Sequence, residues 1–326
     1  MRVLVTGGAG FVGRHFCNHL ADRGDLVTCV DTLVSESAKH PDTWAHKNVF
    51  FIHDDCRNFF RTNESSWDLV IHLAAVVGGR ANMEQFPIAV AEDLAIDASF
   101  FVWVTKNKQN IGHVIYFSSS AAYPIDFQQN NDNKRRLEEH MINFETLGMP
   151  DLTYGWAKLT GEYLARTTAD KYGVKIACYR PFSGYGEDQD EVYPFIGILK
   201  RVLRKENPVQ IWSDSVRDFV YIGDIVKGVL ETYPKITDGR GVNLGTGVPV
   251  AFSDLVRRMC DITGHTADIQ VLDDQPKGVF WRVADPTESQ NIGFNPTTTL
   301  DEGIRKAIQQ LRPDEVLQRR EPGTSP

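Results

Sequence analysis

Met1-Arg2-Val3-Leu4-Val5-Thr6-Gly7-Gly8-Ala9-Gly10-Phe11-Val12-Gly13 opens the chain, and its reading decides the fold. Arg2–Thr6 is a short apolar run with the branched residues of a buried strand. It runs straight into glycines at 7, 10 and 13, and Gly10–Arg23 then follows a helical pattern. The G-x-x-G-x-x-G spacing is one residue wider at its start than the usual dinucleotide fingerprint. Its setting between a strand and a helix is what gives it meaning. Small residues let the backbone approach a pyrophosphate, whose charge meets the helix N-terminus. Gly7, Gly10, Phe11, Val12 and Gly13 are therefore the expected cofactor loop.

The pattern repeats outward from there. Val27–Asp31, Val49–His53, Leu69–Leu73, Val114–Ser118 and Lys175–Arg180 read as strands, with helices over about Ala89–Asn107 and Tyr154–Tyr172. Such alternation predicts an α/β fold with a doubly wound parallel sheet of Rossmann type. After Pro181 the text becomes loop-rich, with Gly184, Gly186, Asp188, Asp190 and Pro194. A helix near Phe195–Lys205 and a strand at Val209–Trp212 follow, and Arg217–Ile222 reads as a strand returning to the sheet. The expected organisation is a cofactor domain over 1–180, with 216–240 returning to it. Residues 181–215 and 241–311 would form a smaller, discontinuous C-terminal substrate lobe. The polar stretch 312–326 reads as a disordered tail.

Asp31 ends the second strand, where a carboxylate accepts from the adenosine ribose hydroxyls and repels a 2′-phosphate. No Arg or Lys follows until Lys39, so NAD is favoured over NADP; the competing reading of Asp31 is a turn-starting Asp. Asp55, after the third strand, is either an adenine contact or a surface acid. Leu73-Ala74-Ala75 closes the fourth strand with the small residues that a backbone passing close to a cofactor requires.

Composition narrows the class. A net charge of -8 argues against a general nucleic-acid surface. No apolar run reaches the roughly 18 residues of a membrane span, and Met1–Thr6 reads as a strand start rather than a signal peptide. Cys17, Cys29, Cys56, Cys178 and Cys260 are odd in number and scattered. That fits reduced thiols in the cytoplasm, not a disulfide frame, and no cluster has metal-ligand spacing.

Tyr154-Gly155-Trp156-Ala157-Lys158 carries the chemistry. The Tyr and Lys, four apart, share one helix face. Downstream of a dinucleotide loop, a phenol beside an ammonium indicates redox chemistry on a hydroxyl or carbonyl. Trp156 reads as packing and His72 as a satisfied strand histidine.

These residues resemble the extended short-chain dehydrogenase/reductase family, in its nucleotide-sugar epimerase and dehydratase branch. The likeness runs from Met1 to about Leu311. It rests on the Gly loop, His72–Ala75, Ser118-Ser119-Ser120-Ala121-Ala122-Tyr123-Pro124, Tyr154–Lys158, Arg180-Pro181-Phe182, Arg217-Asp218-Phe219-Val220 and Asn243-Leu244-Gly245. Val77-Gly78-Gly79 and Tyr123-Pro124 look most like the GDP-fucose synthase and GDP-mannose 3,5-epimerase subgroup. The resemblance implies that Tyr154 is the general acid/base. Lys158 would bind the nicotinamide ribose and lower the Tyr pKa toward neutrality. Ser119, with Ser118 and Ser120 as rivals, would hydrogen-bond the reacting oxygen. Pro181 joins the cofactor contacts. Asp93 stands where many relatives have Asn, and the helices near Ala89–Asn107 and Tyr154–Tyr172 would pair in a homodimer.

The resemblance also sharpens what is missing. Dehydratases of this branch carry Asp-Glu where Ser120-Ala121 stand here, and decarboxylating relatives have Glu at Ala121. The synthase and 3,5-epimerase have Cys there, and the synthase has a partner His where Glu191 stands. A methyl group does none of these jobs, and Cys178 reads as core. Arg217 resembles the Arg that clamps the substrate diphosphate, or it pairs with Asp218. Arg282 would be a second clamp or a surface residue, and Arg80, after Gly79, a sugar contact or a solvated loop residue. Ser183 replaces a usual Asn near the diphosphate.

The function expected is therefore an NAD-dependent nucleotide-sugar epimerase working at C4 through a transient 4-keto sugar. The alternatives are a 4-keto reductase or dehydrogenase using the same three residues, and, more remotely, a non-catalytic nucleotide-binding protein.

Overall fold

The computed structural model describes residues 1–35, 38, 46–76, 78–129, 134–272 and 274–311. Lys39, Val77 and the expected tail over 312–326 lie outside these residues. The first half runs β1 (Arg2–Thr6), α1 (Phe11–Asp22), β2 (Leu26–Asp31), β3 (Val49–His53), α2 (Cys56–Thr62), β4 (Trp67–His72), α3 (Arg80–Gln85), α4 (Pro87–Val90), α5 (Glu92–Lys106), β5 (Ile111–Phe117), α6 (Leu152–Tyr172) and β6 (Ile176–Pro181). The second half runs β7 (Ser183–Tyr185), α7 (Pro194–Leu203), β8 (Val209–Ile211), β9 (Val216–Arg217), β10 (Phe219–Tyr221), α8 (Ile222–Thr232), β11 (Asp238–Leu244), β12 (Val250–Ala251), α9 (Phe252–Thr263), β13 (Ile269–Val271), β14 (Trp281–Arg282), α10 (Thr287–Asn291) and α11 (Leu300–Gln310).

Seven strands form one parallel sheet in the order β11-β6-β5-β4-β1-β2-β3. Its strands are apolar on both sides because helices cover both. Val3 and Val5 face one way, with Phe16 and Leu20 of α1 and Ile225 and Val229 of α8. Leu4 faces the other, with Phe60 of α2, Phe100 and Val104 of α5 and Ala165 of α6. A third core gathers Phe195 and Leu199 of α7, Leu255 and Met259 of α9 and Ile304 of α11. The strand order reverses between β1 and β4, where Thr6 pairs with His72. A ligand crevice opens at such a switch point, outside the C-terminal strand ends.

One strand assignment needs correcting. Arg217–Ile222 does not return to the central sheet: β10 pairs with β7 in a two-stranded sheet of its own. The strand that joins the central sheet is β11, against β6, with a register shift between Asp238 and Gly241. Residues 241–244, expected in the C-terminal lobe, therefore belong to this sheet. Phe219 and Val220 are buried in either arrangement, so their apolarity could not say which partner they take, and the glycines of β11 hide its strand character.

Candidate active site

The loop after β1 is built for close approach. Gly7 has φ +69°, and a Cβ on it would lie 2.6 Å from the Ala74 nitrogen, at the end of β4. A Cβ on Gly13 would lie 2.2 Å from the Gly7 carbonyl. Gly10, by contrast, would meet only that same carbonyl at 3.3 Å, and α1 begins after it with no side-chain cap. The first N–H groups of a 12-residue helix thus face the switch-point crevice. This cradle fits a pyrophosphate. Asp31 stands beside it, with Oδ2 accepting from the Ala9 N–H at 3.0 Å and Oδ1 from Leu33 at 2.8 Å. Leu73, Ala74 and Ala75 are partly exposed along the opposite wall, and Pro181 ends β6. Asp55 is placed differently: it caps α2 and grips the Arg57 guanidinium, down to 2.7 Å, so its carboxylate is engaged by the protein.

α6 brings Tyr154 and Lys158 to the crevice. Its first turn lies against the short turn Ser120–Ala122 after β5; a Cβ on Gly155 would sit 2.4 Å from the Ala121 carbonyl, so only glycine permits this contact. The contact brings the Ser119 hydroxyl near enough to the Tyr154 phenol to lower its pKa. Ser118 instead donates to Glu162 in the core at 2.5 Å, and Ser120 is buried. Ser119 is thus the serine that meets the tyrosine. Lys158 is buried, its Nζ 5.7 Å from the ring centres of both Tyr116 and Tyr154.

Two carboxylates lie behind Lys158, and they alter the expected electrostatics. Asp97 accepts from Tyr116 at 2.5 Å and meets Nε2 of His72 at 3.2 Å. His72 is satisfied in turn by Thr6 at 2.7 Å and stacks on Phe100. Asp93 Oδ1 accepts from the Val76 N–H, while its buried Oδ2 has no hydrogen-bond partner among the described residues. Burial alone would push the Lys158 pKa down; Asp97, then Asp93, more than reverse this, so the lysine holds its proton firmly. Burial raises the Tyr154 pKa; Lys158 pulls against it, Asp93 adds to the rise, and the net shift is upward. The expected fall toward neutrality is therefore not what this environment produces: desolvation outweighs the single ammonium.

Burial pushes the Asp93 carboxyl up to about 6, with Lys158 opposing. A carboxyl whose folded pKa lies above its ordinary 3.8 contributes stability below about pH 4 that is lost as pH rises through about 6. Asp93→Asn, which cannot ionise, is expected to exceed the wild type in stability by up to about 3 kcal/mol at pH 7.5, with the difference closing near pH 4. Urea unfolding at the two pH values checks this; an equal difference at both would show that Asp93 does not titrate between them.

On the substrate side, Arg80, Arg217 and Arg282 come together around the start of α6. Arg80 and Arg282 both donate to Asp151, at 2.6 and 2.7 Å. Arg217 does not pair with Asp218, which accepts from Thr246, Gly247 and Ala284. Its guanidinium donates to the carbonyls of Val216, Val279 and Phe280. Burial, then the charge of Arg282, lowers its pKa to about 9. Gly79 packs against the Val192 backbone, and Ser183 starts β7 partly exposed. Glu191 is bound by Lys200 of α7 and by Arg204, which caps that helix, and is occupied structurally rather than presented to Tyr154. Trp156 is not packed inside: it is 38% exposed on α6. Cys178 is buried in the core as expected. Asp151, Asp97 and Glu162 were not singled out in the sequence, because each partner lies far away along the chain.

Residues 3–245 match the family described as Epimerase: NAD dependent epimerase/dehydratase family. The chain belongs to that family. Its members' cofactor, NAD, is what the Gly loop and Asp31 indicate. Among relatives of this epimerase/dehydratase, a putative UDP-glucose 4-epimerase of Methanocaldococcus jannaschii is 27% identical, covering 95% of this chain and 98% of that protein. UDP-glucuronate 4-epimerase 4 of Arabidopsis thaliana is 27% identical, over 94% of this chain and 74% of that protein. Among solved structures, the UDP-glucose 4-epimerase of Thermotoga maritima with UDP-glucose is 25% identical with a TM-score of 0.81, covering 95% of this chain and 98% of that one.

Proposed function

We propose that this enzyme is an NAD-dependent nucleotide-sugar epimerase that inverts C4 through a transient 4-keto sugar. The observation that carries the reading is the composition of the site. Tyr154, Ser119 and Lys158 converge, while Ala121 offers only a methyl group and Glu191 is tied to α7. Elimination, decarboxylation or inversion at a carbon acid each needs a further acid or base at the sugar; alcohol–ketone interconversion does not. Bound NAD would supply hydride acceptance and return. Tyr154 exchanges the hydroxyl proton, Ser119 shares the hydrogen bond to the same oxygen, and Lys158 balances the charge that develops. Arg217, Arg282 and Arg80 hold the diphosphate end of the substrate. 4-Epimerase names among relatives support the reading, in a family that also includes dehydratases.

The test is spectroscopy and NMR on the purified protein. Tightly held NAD, no net change in added cofactor, and conversion of UDP-, GDP-, CDP- or dTDP-sugars to their C4 epimers in D2O without deuterium on carbon are expected. Stoichiometric consumption of cofactor would instead identify a net reductase or dehydrogenase. Deuterium at C3 or C5 would show that another residue does carbon-acid chemistry.

We also propose a cytoplasmic homodimer formed through α5 and α6. Leu94 and Val102 on α5, and Trp156 and Tyr163 on α6, present exposed apolar surface. No helix among the described residues is long and apolar enough to cross a membrane. A monomer by light scattering at micromolar concentration would refute the dimer.

A further inference from the structure

Asp151 is the carboxylate around which the substrate arginines are arranged. Arg80 gives Nη1 to its Oδ1 at 2.6 Å and Arg282 gives Nη2 to its Oδ2 at 2.7 Å. Each arginine is also steadied by a second partner, Arg80 by Glu84 at 2.6 Å and Arg282 by Gln128 at 2.6 Å. Glu84 is 37% exposed along its side chain, so water screens its charge, whereas the Asp151 side chain is only 10% exposed. Among the described residues, Arg217 meets carbonyls and no carboxylate.

Among the described residues, three guanidinium charges meet one buried carboxylate, Asp151, and one water-screened carboxylate, Glu84, which leaves up to two positive charges in the recess. Two is the negative charge of the diphosphate in a nucleotide sugar. A substrate with a carboxylate on its sugar brings a third negative charge, which this recess does not balance. Nor does Asp151 have freedom to withdraw. Its N–H donates to the Ala121 carbonyl at 2.9 Å, its own carbonyl accepts from Gly155 at 2.9 Å, and the next residue, Leu152, has φ +57°. The main chain that fixes Asp151 is the main chain that starts the Tyr154 helix, so moving one disturbs the other.

We propose that Asp151 is a built-in counter-anion that matches the recess to a diphosphate and so selects nucleotide sugars with an uncharged sugar over those carrying a sugar carboxylate. The proposal rests on the nucleotide-sugar reading above and deepens it. Asp151 acts here as a specificity-determining residue: it stays with Arg80 and Arg282 while the diphosphate engages their remaining N–H groups and Arg217. Asp151 is the N-cap residue of the helix that carries Tyr154 three residues later, and a like charge fixed that near the reacting sugar lowers affinity on the order of ten- to a hundredfold in such surroundings.

The experiment is equilibrium binding to the NAD-loaded protein by calorimetry, with UDP-glucose and UDP-glucuronate as probes and UDP and GDP as controls. If GDP binds and UDP does not, GDP-mannose and GDP-mannuronate replace the pair. The wild type is expected to bind the neutral sugar nucleotide at least tenfold more tightly. Asp151→Asn keeps the shape, removes the charge, and should bring the two affinities within about threefold, chiefly by tightening the carboxylated ligand. A merely structural role would weaken both ligands together and leave their ratio alone; that outcome overturns the proposal. So does a wild type that binds the carboxylated sugar as well as or better than the neutral one, a result that needs no variant to fold. Failure of both sugars, UDP and GDP to bind the wild type would overturn the nucleotide-sugar reading itself, and the proposal with it.

Discussion

Tyr154→Phe is expected to lower kcat on the order of a thousandfold while leaving the protein folded and its NAD in place. The size follows from what surrounds the phenol. A positioned acid/base contributes about 10²–10⁴ in rate, and neither neighbour that relatives use for proton transfer can take over: Ala121 is a methyl and Glu191 is held by Arg204 at 3.0 Å. Phenylalanine preserves the ring beside Lys158, 5.7 Å from its Nζ, so packing at the start of α6 survives. Steady-state kinetics, the absorbance of released cofactor and a melting curve check the three parts separately. A loss below tenfold would show that another group moves the proton. A wild type that is itself inactive on every nucleotide sugar would favour the non-catalytic alternative.

The second large effect is on stability. Arg180 and Glu162 are each 1% exposed along their side chains and form a two-point ion pair, at 2.8 and 2.6 Å. Among the described residues the other hydrogen-bond partners of Arg180 are neutral, the Tyr123 hydroxyl at 3.0 Å and the Glu139 carbonyl at 3.1 Å. Glu162→Ala strands a buried guanidinium and also orphans the Ser118 hydroxyl. Loss of one partner from such a pair costs about 3–5 kcal/mol, read as a lower urea midpoint. Activity should fall with it even where the protein remains folded, because Glu162 is one helical turn beyond Lys158 and Ser118 precedes Ser119. A change under about 1 kcal/mol would mean that the core relaxes to hydrate Arg180.

The sequence by itself determined the Rossmann sheet, the cofactor and the family, because these depend on local, periodic signals. Glycine at 7 and 13 has no substitute, because a Cβ there would strike backbone at 2.6 and 2.2 Å. Alternating apolar strands and helical patterns declared the parallel sheet. Tyr154 and Lys158 could be named because their four-residue spacing is helical geometry. Tertiary structure alone decided the rest. It chose Ser119 over Ser118 and Ser120 by the way α6 packs on the turn after β5. It moved the seventh strand from Arg217–Ile222 to Asp238–Leu244, since a buried run does not encode its partner. It raised the Tyr154 pKa by burial, against the pull of the lysine that the motif supplies. It drew Arg80 and Arg282, 71 and 131 residues away along the chain, to one carboxylate at Asp151. Charge interactions act through space, and residue spacing along the chain carries no record of them.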